Sequence, residues 1–478
     1  MRRALRIAIP CAFAASFLAT ATFVREAHAA PTWDWSTYYG HTDADSLEDV
    51  AIDGAAKIVA VGTTDSGGFI ATPGAHDITN NMDDGFIVKF DQQGVRQWGT
   101  YFGGPSHDLI RGVAVDFWNN IYVVGQTLST TGIATAGAHD TTFGGGNDMF
   151  IAKFNASGVL QWATYYGGPG AEDTQGGIAV SPGGNVYVVG WTTSGSEIAS
   201  TGAHDTSLAG DMDLFVVKLN SSGVRQWATY YGGDSSDETY GFDIAIDSSE
   251  NVYVVGSTRE VIDFATGAPD TTPGGSRDAF VLKLDTEGDL HWCTYHGGSG
   301  IDSAHGVDTD SSGNVYVVGR TESGSSIAQG TGYDLSYGQG GSDGFLVKLN
   351  ASGAVQWGTY YGGVGWDGLE GVDVVGSNVY VVGLSDSHFL ATSDGVDTTL
   401  GGEYDSLLVS FSTGGARQWA TYQGGGNGDA GRGVSATTTG LVVTVGTTES
   451  STSIAPPAAH DNAYDGYGDG FISLYDMF

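Results

Sequence analysis

Cysteine is almost missing from this chain: two residues in 478, Cys11 and Cys293. Cys11 lies in an N-terminal segment that reads as removable, so one thiol remains, no intrachain disulfide can form, and stability has to come from packing. Basic residues are also scarce, 18 Lys and Arg against 55 Asp and Glu, for a formal charge of -37. Such a surface repels nucleic acid and anionic lipid and favours cations or basic partners. Helical periodicity is lacking throughout, and beyond the first thirty residues no apolar run is long enough to span a membrane. H-E-x-x-H and phosphate-loop motifs are missing, and no nucleophile motif is assigned.

The N-terminus is the one segment of different character. "MRRALR", then "IAIPCAFAASFLATATFV", then "AHAA" has the charged, apolar and small-residue regions of a secretory signal peptide. Residues 1–29 are expected to be removed after Ala29 and the remainder exported to the periplasm, cell surface or medium. "AIPC" lacks the residues that precede a lipoprotein cysteine. Residues 30–478 share one repetitive composition without a linker, which predicts a single domain.

What the chain has in abundance is one aromatic phrase. "RQWATYYGGD" from Arg225 returns as "RQWGTYFGGP" from Arg96, "LQWATYYGGP" from Leu160, "LHWCTYHGGS" from Leu290, "VQWGTYYGGV" from Val355 and "RQWATYQGGG" from Arg417, with "WDWSTYYGHT" at Trp33. Its tryptophans, Trp35, Trp98, Trp162, Trp227, Trp292, Trp357 and Trp419, are spaced 63, 64, 65, 65, 65 and 62 apart. A period of that length is the mark of a repeat architecture. Each unit holds four short signals rich in Val, Ile, Tyr, Phe and Thr and bounded by Gly, Asn or Asp: "GVAVD" from Gly112, "NIYVVG" from Asn120, "DMFIAKF" from Asp148 and "VLQWATYYGG" from Val159. The second is apolar on both faces, as a strand between two neighbouring sheets must be.

These features predict an all-β, seven-bladed β-propeller with four antiparallel strands per blade. The chain opens on a fourth strand, residues 32–40, and ends on a third, "DGFISLYDMF". Pairing them completes the last blade and closes the ring without a free edge. On the motifs quoted, the units resemble the SBBP repeat, the β-propeller repeat of bacterial exported proteins, although Ser410 and Leu474 replace the strand lysine in the last two units. The resemblance implies a fold and an extracytoplasmic setting. It carries over no catalytic residue, because the family has no general assigned reaction.

Alternating strand direction puts the second-to-third and the blade-to-blade connections on one face, and the former, residues 128–147 in the second unit, exceed the length needed to join two strands. Two constellations mark this face. An Asp follows each aromatic phrase: Asp45, Asp108, Asp173, Asp237, Asp302, Asp367 and Asp429. It reads as a turn former accepting backbone N–H groups, with calcium ligation as the alternative, although one carboxylate per blade falls short of a calcium cage. "GAHD" recurs in the long loops at His76, His139, His204 and His460, followed by Asp77, Asp140, Asp205 and Asp461; three other units place Pro269, Tyr333 and Val396 at the histidine position. Such exchange points to a contact inside the loop rather than to a metal ligand. "DTDSSGNVYVVG" from Asp308 is a hairpin turn, since Gly319 stands where a calcium loop needs Glu.

Trp118, Trp191 and Trp366 interrupt the repeat. The expectation is an exported, non-enzymatic scaffold that needs no cofactor and engages a protein or glycan through the long-loop face, with His76, His139, Trp191, His204, Asp205 and His460 as ligand-binding candidates. The competing expectations are a hydrolase or lyase using a divalent cation on that face and a structural envelope component. The oligomeric state is left open, with a monomer sufficient.

Overall fold

The computed structural model describes residues 31–233, 239–259, 267, 269–456 and 459–477. The expected signal peptide and Asp237 lie outside the described residues. Seven sheets follow one another along the chain, over residues 45–102, 108–166, 172–231, 240–296, 302–361, 367–423 and, for the seventh, 429–476 together with 32–39. The second blade is typical, with strands Asp108–Val115, Ile121–Thr127, Asp148–Phe154 and Leu160–Tyr166 pairing in that order. The first strands of neighbouring blades contact one another and form the inner wall of a central channel. In the seventh blade Thr32–Tyr39 pairs antiparallel with Asp469–Asp476, Thr37 opposite Ile472 and Tyr39 opposite Gly470. Among the described residues no helix is long and apolar enough to cross a membrane.

The core lies between blades. Tyr122, Val124 and Ile151 of the second blade pack on Val188, Phe215 and Val217 of the third, all fully buried. Second strands are buried on both faces because each sheet has a neighbour on either side. The repeated tryptophan links one blade to the next. Its indole N–H donates to a turn carbonyl of the following blade: Trp98 to Ala156 at 3.3 Å, Trp227 to Thr286 at 2.9 Å and Trp292 to Ala351 at 3.1 Å. The ring face lies against a turn glycine, Gly158 on Trp98 and Gly288 on Trp227, each at positive φ, where a Cβ would stand 3.1 and 2.9 Å from the indole. Trp419 meets a different neighbour. The third and fourth strands of the seventh blade come from opposite ends of the chain and no turn joins them, so Trp419 clusters with Tyr475 and Met477 near the end of the third strand, while keeping the contact with the second-strand tyrosine of its own blade, Tyr380 at 6.2 Å, that Trp357 makes with Tyr316.

The long loops run outward and back along the fourth strand. Thr135 N–H donates to Ala163 O at 2.9 Å and Tyr165 N–H to Asp140 O at 3.2 Å, and the same pair of bonds recurs at Thr392 to Ala420 and Tyr422 to Asp397. Loop backbone thereby takes up hydrogen-bonding groups on the outer edge of each blade, which would otherwise invite pairing with another chain. The length of these loops follows from edge protection.

Candidate functional site

The repeated carboxylates sit at the heads of the innermost strands and are consumed by the fold. Asp302 is fully buried; its Oδ2 accepts the Gly298 N–H and the Ser323 hydroxyl, both at 2.8 Å, and its Oδ1 accepts the Thr321 hydroxyl. Asp108, Asp367 and Asp429 make the same set, and Asp45 accepts the His41 N–H at 2.7 Å and the Ser66 hydroxyl at 2.9 Å. The partners form a second repeated motif, T-x-S at Thr127/Ser129, Thr321/Ser323 and Thr448/Ser450, which closes on the aspartate from the end of the second strand. The third blade differs from the sequence expectation: Glu172, not Asp173, occupies the buried place, taking the Gly168 N–H at 2.7 Å and the Thr192 hydroxyl at 2.6 Å. Its innermost strand is split into Glu172–Asp173 and Ile178–Val180, and Asp173 turns its Oδ1 to the Thr174 N–H.

Asp302→Ala therefore removes three bonds and leaves the Gly298 N–H buried, a loss of about 2–4 kcal/mol. Asp302→Asn keeps one oxygen for that N–H and is expected to cost about 1 kcal/mol. Chemical denaturation of both variants, with and without calcium, measures the difference; equal stability of Asp302→Ala and the parent would show that the turn does not depend on this carboxylate. Among the described residues no three His, Cys, Asp or Glu side chains are grouped to hold a metal ion.

The loop histidines lie apart from one another, one per blade, each flat against the second aromatic of its own fourth strand. His139 stacks on Tyr166 at 6.0 Å, His204 on Tyr231 at 5.2 Å and His460 on Tyr39 at 6.3 Å; His76 lies against Phe102 at 6.1 Å. Burial lowers the imidazole pKa of His76, His139 and His460. Tyr333 fills the same slot on Tyr361 at 6.1 Å, which accounts for the exchange of His for Tyr among units. Asp205 accepts the Ser207 N–H at 2.9 Å and shapes its own turn. Trp191 alone of the six lies inward, 6.4 Å from Tyr240 on the next blade.

The structure gathers a set of residues at the channel that the sequence reading passed over. Six innermost strands carry a bulge, with register shifts at Leu47/Asp49, Ile110/Gly112, Gly241/Asp243, Ala304/Gly306, Leu369/Gly371 and Gly431/Gly433. A bulge re-aims the extra side chain. Here the extra residues are Glu48, Arg111, Phe242, His305, Glu370 and Arg432, and in the third blade Gln175 sits in the break. All seven line one cavity of about 170 Å³ in the channel. This position holds five different residue types in seven blades.

Charges in the ring are interlocked. Arg111 lies 3.5 Å from Glu48, which also accepts the Ser46 hydroxyl at 2.8 Å, while Arg111 Nε is buried with no hydrogen-bond partner. His305 Nδ1 is 2.8 Å from Glu370 Oε2 and its Nε2 is 3.1 Å from Ser303 Oγ. Burial works to raise the Glu370 carboxyl, but the charge and hydrogen bond of His305, with Arg432 and Arg320, outweigh it and bring the pKa to about 2. An aromatic path leads outward from the ring: Phe242 lies 5.5 Å from His305 and 5.9 Å from Tyr240, and Arg320 covers Trp366 at 4.6 Å. Further along the channel wall Asp49, Asp243, Asp308 and Asp373 each accept an N–H of the next blade, from Val113, Val307, Val374 and Ala436 at 2.7–2.9 Å. Burial raises all four carboxyl pKa values, to about 7 for Asp49 and about 6 for Asp243 and Asp373.

Ser303, His305 and Glu370 are aligned as a nucleophile, base and orienting acid are in acyl transfer. The expectation that the chain has no G-x-S-x-G pattern is corrected by "GGSDG" at 340–344. Ser342 there is buried at the head of a third strand and donates to Asp367 O at 3.1 Å.

A β-propeller repeat model, SBBP, matches residues 97–132, 161–196, 226–261 and 291–325. The regulatory protein FlaEY of Caulobacter vibrioides is 28% identical over 301 residues, 58% of this chain and 29% of that protein. An uncharacterized WD repeat-containing protein, L264, of Acanthamoeba polyphaga mimivirus is 23% identical over 291 residues, 49% of this chain and 21% of that protein. The chain thus spans less than a third of the length of these curated relatives. Among solved structures, the WD40 propeller domain of Doa1 aligns with 94% of this chain and 98% of its own at 9% identity and a TM-score of 0.46. A protein of unknown function from Dyadobacter fermentans aligns with 94% and 100% at 9% identity and a TM-score of 0.43.

Proposed function

The chain is a β-propeller of SBBP repeats, and on that premise we propose that it is an exported, non-enzymatic binding scaffold that takes a protein or glycan partner at the channel mouth. The observation that carries this reading is the ring of bulged side chains. Seven blades built on one repeat diverge at the residue each points into the shared cavity, which is where a binding specificity would be written on a symmetric frame. The long loops lie along the outer strand edges, away from that cavity. Export rests on the N-terminal 29 residues and predicts a mature protein beginning at Ala30 outside the cytoplasm. The relative described as a regulatory protein is consistent with a binding role, and no calcium is needed.

One alignment favours a second reading, a hydrolase using Ser303, His305 and Glu370. Two features speak for a positioning role instead. Ser303 is only 6% exposed, and it does not line the cavity that His305 and Glu370 face. The first blade repeats the arrangement with Ser46 holding Glu48 at 2.8 Å, so a serine two residues before the bulge serves to fix the ring residue whatever its type.

Glycan arrays and surface-protein fractions probed with the mature chain test the binding reading. Binding is expected to fall at least tenfold in Arg111→Gln and Glu370→Gln proteins that melt like the parent, and to persist in Asp205→Ala. Binding lost only in Asp205→Ala would move the site to the loops. Labelling of Ser303 by a fluorophosphonate, absent from Ser303→Ala, would establish the hydrolase in its place.

A further inference from the structure

Resting on the assignment of the channel mouth as the binding site, we infer that its ligand is a small hydroxylated monocarboxylate of sugar size, a uronic acid either free or at the end of a glycan. The volume sets the scale. A cavity of about 170 Å³ corresponds to roughly five or six waters at about 30 Å³ each, room for one sugar ring and not for a folded epitope.

The walls set the chemistry. Arg111 and Arg432 face the cavity from the second and seventh blades, either side of the blade that supplies Glu48. Arg111 Nε is a buried donor with no partner, the kind of group that a ligand acceptor relieves, and guanidinium geometry suits a carboxylate. Arg432 is exposed at the mouth, where it faces Glu370. Glu48, Gln175 and Glu370 add acceptors and an amide, which match hydroxyl groups that both donate and accept. Phe242 offers the apolar surface that the C–H face of a sugar covers.

Charge limits the ligand to a single negative group. The ring holds two arginines and a histidine against two glutamates, and the channel wall adds Asp49, Asp243, Asp308 and Asp373 in a chain of formal charge -37. A dianion such as phosphate or sulfate would meet that field twice over, whereas a single carboxylate meets it once. Trp191 and Trp366, on the path leading out of the ring, could stack the next sugar of a longer chain.

Isothermal titration of the mature protein with D-glucuronate, D-glucose, acetate and sulfate tests the assignment, with a trisaccharide ending in glucuronate to separate the free acid from a glycan terminus. Glucuronate is expected to bind at least tenfold more tightly than glucose or acetate, and sulfate not to compete. Arg432→Gln, at an exposed position, should weaken glucuronate at least tenfold with an unchanged melting temperature; Phe242→Ala should weaken glucuronate and spare nothing for acetate to lose. Trp118→Ala, in a short turn between a first and a second strand, should change none of these. Tighter binding of the trisaccharide identifies a glycan end, and equal binding identifies the free acid. No binding of glucuronate in either form, equal binding of sulfate, or full binding by Arg432→Gln would overturn the assignment. A macromolecular partner that still binds Arg432→Gln but not Glu370→Gln would do so while leaving the channel mouth as the binding site.

Discussion

A chain that begins after Gly40 is expected to lose its cooperative unfolding transition or to aggregate. The strand Thr32–Tyr39 is the only partner of Asp469–Asp476 on the outer side of the seventh blade. Tyr38 and Tyr39 are almost wholly buried; the Tyr38 hydroxyl donates to Ser450 O at 2.8 Å, and Tyr39 packs on Phe86 and Phe90 of the first blade at 5.4 and 5.7 Å. The Trp35 indole donates to Gln92 O at 2.8 Å, so the same strand links the seventh blade to the first. Three aromatic side chains at about 150–250 Å² each and about 25 cal/mol per Å² amount to about 11–19 kcal/mol as an upper estimate, comparable with the whole stability of a domain. The exposed edge of Asp469–Asp476 would also be free to pair with other chains. Differential scanning calorimetry of the truncated protein, alone and with a synthetic peptide of residues 31–40, measures the effect. The peptide should restore the transition; a truncated chain that melts with the parent would show that this strand does not hold the ring.

The architecture was legible because its determinants repeat. Tryptophan spacing, the doubly apolar second strand and the half-repeat offset at the two ends each have one physical explanation, and all lead to the same ring. The "GG" after each aromatic phrase shows how far such reading reaches. Its first glycine, Gly103 for example, lies where a Cβ would strike Asp84 and Asp108, and its second, Gly104, where a Cβ would strike Ser129 and Thr131 O. Sequence marks that pair as a turn, but only the packed neighbours explain why both positions exclude a side chain. Glu172 was missed because a count of four residues back from a glycine finds Asp173, and the break at 174–177 that shifts the frame leaves no mark of its own.

The channel ring was invisible for the opposite reason. Glu48, Arg111, Gln175, Phe242, His305, Glu370 and Arg432 share a position but no chemistry, so a search for recurring residues passes over them. A bulge present in nearly every blade adds its residue to every unit alike and does not disturb the period. Loop length has a structural explanation that the sequence does not display, since these loops are laid against the outer strand edges. The signal that could have found these residues is variance combined with place, a position on the innermost strand that changes residue type from blade to blade.

Acidification from pH 8 to pH 5 is expected to stabilise this protein, raising its melting temperature by several degrees. Each third strand opens on a buried aspartate whose Oδ2 takes a loop N–H; in Asp84, Asp148, Asp343, Asp405 and Asp469 the Oδ1 has no hydrogen-bond partner. Burial, followed in each case by that N–H bond and a neighbouring carboxylate, leaves the pKa raised to about 7 for Asp84 and Asp469 and about 6 for Asp148, Asp343 and Asp405. The channel carboxylates of Asp49, Asp243 and Asp373 lie in the same range. An unfolded aspartate titrates near 3.9, so between about pH 4 and pH 7 the native state binds more protons than the unfolded state, and stability falls as pH rises through that window. Four histidines oppose the trend: burial lowers the pKa of His296 to about 4 and also lowers those of His76, His139 and His460, so their contribution is lost as pH falls from about 6.5, but they are four groups against eight. Asp84→Asn supplies the neutral side chain at every pH, with an amide N–H able to serve the place of the acid proton and a carbonyl left for the Asn81 N–H. The variant should melt above the parent at pH 8 and show a flatter pH profile. A parent protein more stable at pH 8 than at pH 5, at constant ionic strength, would mean that these carboxylates are charged in the fold and find partners other than a proton.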